Sequence, residues 1–133
     1  MSIDDTVLDK PYTNINSNNL ISIFYSGKHH KTVKGINLIT LYCTDTKGVS
    51  LPVNFRMYRK EDKKTKNEYF REMVLEVLNW GLRPELVTGD SWYASIENLK
   101  FLRKHELSFL FGIEKDRIIS TQKGFYQQVL SGL

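Results

Sequence analysis

The sequence predicts an α/β fold built on one mixed sheet, and three observations support this prediction. An apolar run at residues 36–43 is joined by turn residues to a second strand-like run at 49–58, as in an antiparallel hairpin. An amphipathic helix pattern follows at 65–81. A buried strand, a second helix at 95–104 and a last strand at 107–113 then alternate. We expect the last two strands to be parallel and joined by a right-handed crossover.

The chain begins on a predicted strand, residues 2–8, that contains two adjacent acids. Period-two alternation puts Asp5 on the face of Ile3 and Asp4 on the opposite face. Acids inside an apolar, β-branched strand should face a cation or solvent. The alternative is a frayed terminus over residues 1–12, with both acids merely solvated. Because the chain starts almost directly on this strand, we expect it to be a piece of a longer coding sequence.

From Thr13 to Gly35 the composition turns polar, which predicts a loop with a short apolar insert at residues 20–25. The basic end of this loop could contact phosphates. Its members are Lys28, His29, His30, Lys31 and Lys34. Neighbouring His29 and His30 raise the alternative of a metal site, but no third ligand stands at a recognised spacing. A solvated or phosphate-facing loop is the favoured interpretation.

The hairpin that follows is predicted to place one strand inside the sheet and one at its edge. Residues 36–43 are apolar enough to be buried on both faces, and TDTKG at 44–48 supplies turn chemistry. Pro52 has no N–H to give to a ladder, so its strand should lie at an edge. The single Cys43 has no second cysteine for an intramolecular disulfide and is expected to be core.

A charge run at residues 59–66 is expected to be a solvated connection, and a well-marked helix follows it. Thr65 and Glu68 have the spacing of a capping box. Apolar residues then recur at helical spacing over 70–78, and Gly81 closes the helix. The helix therefore leads directly into the next strand.

The stretch LVTGDSWYAS is predicted to form a buried strand that ends at a carboxylate, Asp90. Open α/β sheets place their ligands at this end of their strands. Gly89 permits a close approach just before the acid, and we expect Trp92 and Tyr93 to line the exit. The alternative is that Asp90 only caps the following helix, since Asp is a favoured cap residue.

The bulk properties favour one folded domain, and they weakly favour a polyanionic partner. A chain of 133 residues with 41% hydrophobic residues is long enough to bury a core. No apolar run approaches the ~18 residues of a membrane span, and no secretory pattern follows Met1. We therefore expect a cytoplasmic protein with no membrane partner. The net charge of +4 is weak support for nucleic-acid binding.

The order β-β-β-α-β-α-β, with an acid in the first strand and another after the fourth, is the ribonuclease-H-like arrangement. The chain resembles the catalytic core of DDE transposases encoded by bacterial insertion sequences. This resemblance rests on SIDDTVLDKP at the front, on GDSWYAS with ENLKFL behind it, and on the basic, strand-rich region between. It extends from Ser2 to about Ser120, so we expect residues 1–133 to be a single, partial catalytic domain.

The resemblance implies a site for divalent metal ions, Mg²⁺ or Mn²⁺. Members of the family hold two such ions with three carboxylates. The first acid would fall on Asp5, with Asp4 as the alternative, and the second on Asp90. The family's third acid, a Glu on a later helix within a Tyr, Arg, Glu, Lys spacing, has no counterpart after Ile113. Glu114 looks like part of a turn and is a poor candidate, so we expect a domain truncated before its final catalytic helix.

The implied function is DNA transposition, by metal-dependent phosphodiester hydrolysis and strand transfer at transposon ends. DNA, as transposon ends and target, would be the partner, with Arg59 and Lys60 joining the loop at 28–34 as contacts. The resemblance also implies a nucleoid-associated protein and a homodimer at full length. Two alternatives remain open: a catalytically dead DNA-binding remnant, and another ribonuclease-H-like nuclease. We expect little or no activity from this chain alone.

Overall fold

The computed structural model describes residues 1–14 and 20–129, which form eight strands and two α-helices. The strands are β1 (Ser2–Asp9), β2 (Ser22–Ser26), β3 (Lys31–Thr44), β4 (Ser50–Met57), β5 (Leu86–Gly89), β6 (Ser108–Phe111), β7 (Ile118–Gln122) and β8 (Phe125–Gln128). The helices are α1 (Lys66–Asn79) and α2 (Ile96–Lys104). Two short 3-10 helices, Lys60–Asp62 and Ser91–Tyr93, precede them. No described helix is long and apolar enough to cross a membrane.

Strand β1 lies at the centre of the main sheet. It pairs antiparallel with β3 on one side and parallel with β5 on the other, and β5 pairs parallel with β6. The order is β2-β3-β1-β5-β6, with β4 also paired to β3. The predicted mixed sheet, its parallel last strands and its antiparallel hairpin are confirmed. The register shifts between Leu41 and Tyr42, opposite Asn54 and Pro52, so the proline strand is irregular as well as peripheral.

The predicted loop over residues 13–35 is partly wrong. β2 pairs with the first five residues of β3, which begins at Lys31 instead of near residue 36. The short apolar insert at residues 20–25 contains this strand, and it was assigned to a loop because polar residues surround it on both sides. The asparagine-rich residues 16–19 lie outside the described residues. So do residues 130–133 of the closing stretch, whose earlier part forms a separate two-stranded sheet of β7 and β8.

Helix α1 covers one face of the sheet and builds the core against it. Its buried side chains pack with residues of β1, β3 and β5. They are Tyr69, Phe70, Met73, Val74 and Val77 from the helix and Ile3, Ile39, Leu41 and Val87 from the strands. Full burial of a large apolar side chain stabilises a fold by roughly 1.5–3 kcal/mol. This core therefore fixes β1 and β5 as neighbours, which sets the positions of the acids on both strands.

The ends of α1 follow the predicted signals. The Thr65 side chain accepts a hydrogen bond from the Glu68 N–H, and the Glu68 carboxylate accepts one from the Thr65 N–H, so the capping box is confirmed. At the other end Gly81 has a φ of 88°, a left-handed conformation that glycine adopts without strain. The start of α1 is therefore held in place, and Lys66 is its first residue.

Candidate active site

The parallel pairing of β1 with β5 brings the predicted acids to one end of the sheet. Ser2 pairs with Thr88, so Asp4 on β1 and Asp90 directly after β5 each lie two residues beyond this pair on neighbouring strands. Desolvation by the surrounding protein raises the pKa of the Asp4 carboxyl above the ordinary value of 3.8, although the residue as a whole is exposed. The negative charges of Asp5 and Asp90 raise that pKa further, while a hydrogen bond from the Asp5 N–H opposes them. Three carboxylates thus lie within electrostatic range of one another.

Asp5 is neutralised by a cation in this structure. Its Oδ2 accepts a hydrogen bond from Lys66 Nζ at 2.6 Å, and its Oδ1 accepts one from the Tyr93 hydroxyl at 3.3 Å. The Asp5 and Lys66 side chains are 20% and 23% exposed. A carboxylate in such an apolar strand was expected to face a cation or solvent, and here the cation is a lysine from the first turn of α1.

Tyr93 does not line an exit, and this prediction is wrong. The side chain has no exposed surface, and its ring centroid lies 5.8 Å from that of Phe70 in the core. Burial, followed by the charge of Asp5, raises the pKa of Tyr93 well above its ordinary value of 10.0. The phenol therefore remains protonated and donates to Asp5. Trp92, in contrast, is 64% exposed.

Asp90 caps a helix, as the alternative interpretation of the sequence held. The helix that it caps is not α2, as that interpretation expected. Its Oδ1 accepts a hydrogen bond from the Trp92 N–H at 2.9 Å, which caps the short 3-10 helix Ser91–Tyr93. Helix α2 has its own cap, because the Ser95 hydroxyl accepts from the Asn98 N–H at 3.2 Å. A carboxylate has two oxygens, so a cap at one of them is compatible with a ligand at the other.

Gly89 provides the close approach that the sequence predicted, and its neighbours are side chains of the core. A Cβ at this position would lie 2.6 Å from Ile3 Cγ2 and 2.6 Å from Phe111 Cε1. Real carbon atoms do not approach this closely, so only glycine fits between β1 and β6 without a shift. The residue just before Asp90 is therefore fixed by packing on both sides.

Glu114 lies in the irregular segment after β6, as predicted, and its carboxylate accepts a hydrogen bond from the Ser91 hydroxyl. It is therefore near the second acid without belonging to a helix. Within residues 1–14 and 20–129, no group of three or more His, Cys, Asp or Glu side chains is arranged to hold a metal ion. The donor chemistry of Asp4, Asp5 and Asp90 nevertheless suits Mg²⁺, which prefers carboxylate oxygens.

The predicted basic residues occupy two regions of different character. The turn between β2 and β3 exposes Lys28, His29, His30 and Lys31, and Lys34 is half-buried on β3. His29 Nδ1 lies 3.0 Å from the Ser26 hydroxyl. Arg59 is exposed. Lys60 donates to the Ile23 carbonyl at 3.2 Å and lies 5.1 Å from the centroid of the Phe24 ring, so it also holds β2 in place.

Sequence reasoning missed Lys66 and Asn37 as residues of this region. Lys66 closes the charge run and seemed to be solvated, and nothing in its spacing indicates a partner 61 residues away. Asn37 lies within an apolar strand, where its polar side chain was the available signal. The structure places both residues beside Asp5, in the lining of one cavity.

Comparisons with known proteins agree on one relationship. The model of the family described as "Transposase DDE domain" matches residues 2–130. A solved structure, that of the piggyBac transposase synaptic complex with hairpin DNA, is similar with a TM-score of 0.50 and 18% identity. That match covers 92% of this chain but 23% of the other. At this identity the likeness concerns the fold, which is ribonuclease-H-like. No curated protein matches the sequence.

Proposed function

The chain belongs to the family of transposase DDE domains, and on this premise we propose that it carries the metal-binding centre of a DNA transposition reaction. The reaction class is hydrolysis of phosphodiester bonds at transposon ends, followed by strand transfer. One observation supports the proposal most strongly. The β1–β5 pairing puts Asp90 level with Asp4, the neighbour of Asp5 on β1, at the end of the sheet where such folds bind ligands.

Asp90 and one acid of β1 would hold the divalent ion, Mg²⁺ or Mn²⁺. By resemblance the β1 ligand is Asp5, and by register it is Asp4. When bound, such ions activate the attacking water or hydroxyl and stabilise the leaving oxygen. The chain's own groups have electrostatic and positioning roles. Tyr93 orients Asp5 through its hydroxyl, and Lys66 neutralises the charge of Asp5.

DNA contacts are proposed for the two basic regions described above. The turn at Lys28 to Lys31 carries exposed positive charge, and Arg59 lies on the connection to α1. Contacts of this kind neutralise phosphates and make binding sensitive to salt. We propose Lys34 and Lys60 as weaker contributors, because one is half-buried and the other is engaged with β2. At full length the protein would act on DNA as a homodimer.

A second candidate function is DNA binding without catalysis, as in a dead remnant. It is favoured by the ion pair between Asp5 and Lys66 and by the absence of a three-ligand metal group among the residues that the structure describes. The two candidates differ in metal affinity. Salt-sensitive DNA binding with no affinity for Mn²⁺ would favour the remnant.

The experiment is an Mn²⁺ titration of the 133-residue chain, followed by electron paramagnetic resonance of the free ion. We expect wild type to bind Mn²⁺ and Asp90→Asn to bind it at least about tenfold more weakly, since a lost charged ligand costs several kcal/mol. Asp4→Asn and Asp5→Asn then identify the β1 ligand by which of them reproduces this loss. Equal Mn²⁺ binding by wild type and Asp90→Asn would refute the proposed site.

A nicking assay on plasmid DNA is the companion experiment. We expect the chain alone to show little or no Mg²⁺-dependent cleavage, because two of three family carboxylates are assigned here. Robust nicking that disappears in Asp5→Ala or Asp90→Ala would overturn this expectation while supporting the assignment of both acids.

A further inference from the structure

The residues that directly follow β5 form a compact unit, the Asp90 segment (residues 90–94). The Asp90 carboxylate accepts from the Trp92 N–H at 2.9 Å, and the Asp90 carbonyl accepts from the Tyr93 N–H at 3.2 Å. A single 3-10 turn has few hydrogen bonds of its own, and their geometry is poorer than in an α-helix. β5 fixes the segment at its start, so contacts with other elements must fix the rest.

Asn98 holds the other end of the Asp90 segment. It lies in the first turn of α2 and has no exposed surface. Its Nδ2 donates a hydrogen bond to the Tyr93 carbonyl at 3.0 Å. Burial of a polar side chain is costly unless its polar atoms are hydrogen-bonded. The fold therefore keeps this bond, and the bond fixes the backbone of the last residue of the 3-10 helix.

The same side chain connects the segment to the first half of α1. Asn98 Oδ1 accepts from Arg71 Nη1 at 2.7 Å, and Asn98 Nδ2 also donates to Asn67 Oδ1 at 2.9 Å. Asn67 directly follows Lys66, whose Nζ donates to Asp5. Asn98 thus links the turn of α1 that contacts the first strand to the segment that contains the second acid.

Tyr93 shows how a contact at Asn98 reaches both strands. The Tyr93 hydroxyl donates to Asp5 at 3.3 Å, its N–H donates to the Asp90 carbonyl, and its carbonyl accepts from Asn98. The ring is fully buried and packs against Phe70. A shift of the Tyr93 backbone would therefore displace the hydroxyl as well, so the Asn98 contact restrains the segment relative to β1.

From these contacts we propose that Asn98 is a positioning residue of the metal site, which holds the Asp90 segment so that the Asp90 carboxylate stays level with Asp4. The inference rests on the proposed function, because it concerns the geometry of the proposed metal ligands. Residues that orient ligands without contacting the ion typically change metal affinity roughly 10–100-fold when they are lost. The purely structural alternative is that Asn98 only joins α1 to α2.

The test is the Mn²⁺ affinity of the 133-residue chain with Asn98→Asp. This substitution keeps the size of the side chain and an acceptor for Arg71, but it removes the donor to the Tyr93 carbonyl. We expect the dissociation constant for Mn²⁺, followed by electron paramagnetic resonance, to rise about tenfold. An added carboxylate would strengthen Mn²⁺ binding by its charge alone. Weaker binding would therefore be due to the lost contact.

Asn54→Ala is the matched control. Asn54 joins the sheet to α1 as well, because its Nδ2 donates to the Met73 carbonyl at 3.2 Å and to Glu76 at 3.0 Å, in the second half of that helix. Urea unfolding verifies that both variants are folded under the conditions of the titration. We expect Asn54→Ala to bind Mn²⁺ as wild type does. Equal weakening in both variants would overturn the inference, because any loss of stability would then loosen the site.

A second measurement uses wild type alone. Metal binding and the hydrogen bonds that favour it are coupled reciprocally, so Mg²⁺ should protect the side-chain amide of Asn98. We expect saturating Mg²⁺ to slow hydrogen exchange at this amide about fivefold, measured by NMR, and to leave the Asn54 side-chain amide unchanged. Exchange at Asn98 that does not respond to bound Mg²⁺ would refute the positioning role.

The outcomes also separate this inference from the function on which it rests. If wild type and Asn98→Asp bind Mn²⁺ equally well, the metal site stands and the positioning role is overturned. If wild type binds no Mn²⁺, the proposed metal site is overturned and the positioning role with it.

Discussion

The centre of the sheet and the carboxyl-terminal part of the chain use apolar residues in opposite ways. In the centre, Phe70, Val74 and Val87 have no exposed surface. In β7 and β8, Ile118 is 65% and Phe125 is 74% exposed. Both regions have strand or helix patterns rich in apolar residues, but among residues 1–14 and 20–129 a helix covers only the first. The comparison shows that an apolar pattern predicts an element, whereas a facing element decides whether that pattern becomes core.

The largest expected difference between the regions comes from removing a phenylalanine in each. Phe70 packs against Tyr93 and Phe111 with centroids 5.8 and 6.3 Å away. Phe70→Ala should therefore lower the free energy of unfolding by about 3–5 kcal/mol. Phe125→Ala, the matched control, should change it by less than about 0.5 kcal/mol. Urea unfolding measures both, and similar losses would show that the two regions do not differ as described.

A second, smaller effect should follow from adding one methyl group in the centre. Gly89→Ala puts a carbon against Ile3 and Phe111, and overpacking of this kind costs about 1–3 kcal/mol. Gly27→Ala is the control, since its added carbon would meet nothing within 4 Å. Thermal unfolding compares the two variants. A stable Gly89→Ala protein would mean that β1 and β6 can separate slightly at Asp90.

Loss of the ion pair at the site should rank third. Lys66→Met leaves Asp5 without its cation in a position that is 20% exposed. We expect a loss of about 1–2 kcal/mol, the lower part of the range for an unpaired buried charge because solvent still reaches the pair. Lys64→Met removes a lysine whose partner Glu72 is 39% exposed, so its loss should cost less than that of Lys66. Urea unfolding at pH 7 measures both losses.

Mn²⁺ gives this third comparison a second readout. If the ion replaces Lys66 as the partner of Asp5, Mn²⁺ should stabilise Lys66→Met more than wild type. Equal stabilisation of both proteins by Mn²⁺ would show that the ion does not bind at Asp5.

The smallest effect should come from the capping box of α1. The hydrogen bond from the Thr65 N–H lowers the pKa of Glu68 below its ordinary value of 4.5. A lowered pKa in the folded state gives stability that is present above pH 4.5 and is lost as pH falls through the lowered value. Glu68→Gln keeps the box without the charge. The stability difference between wild type and this variant should therefore shrink in acid, whereas a constant difference would contradict the pKa direction.

Much of the centre could be predicted because its local signals agree with its packing. The capping box placed the start of α1, and the apolar periodicity placed its buried face. Pro52 indicated an edge strand, and β4 pairs only with β3 in the described part of the sheet. The parallel pair β5–β6 followed from the crossover rule. In each case the sequence pattern lies in, or next to, the structural element that it predicts.

The rest depends on partners that are distant in sequence. β2 forms because β3 extends far enough to pair with it, and the short apolar insert at residues 20–25 did not by itself indicate that partner. The Tyr93 hydroxyl bonds Asp5 across 88 positions, so a residue expected at an exit is in the core instead. Lys66 was counted with a solvated charge run for the same reason. The sequence was sufficient to place the acids on β1 and at the end of β5. The cation and the hydrogen-bond partner of Asp5 could be identified only from the folded structure.

The most direct test of the proposed site is a crystal structure of this chain grown with Mn²⁺, with the ion located by its anomalous signal. We predict one or two ions bound to Asp90 and to Asp4 or Asp5. Two ions in such a site lie about 3.5–4 Å apart. Binding at Asp5 should be accompanied by movement of Lys66 Nζ away from Oδ2. An Asp90 carboxylate that binds only the Trp92 N–H, with no Mn²⁺ near any of the three acids, would contradict the proposal and leave Asp90 as a helix cap.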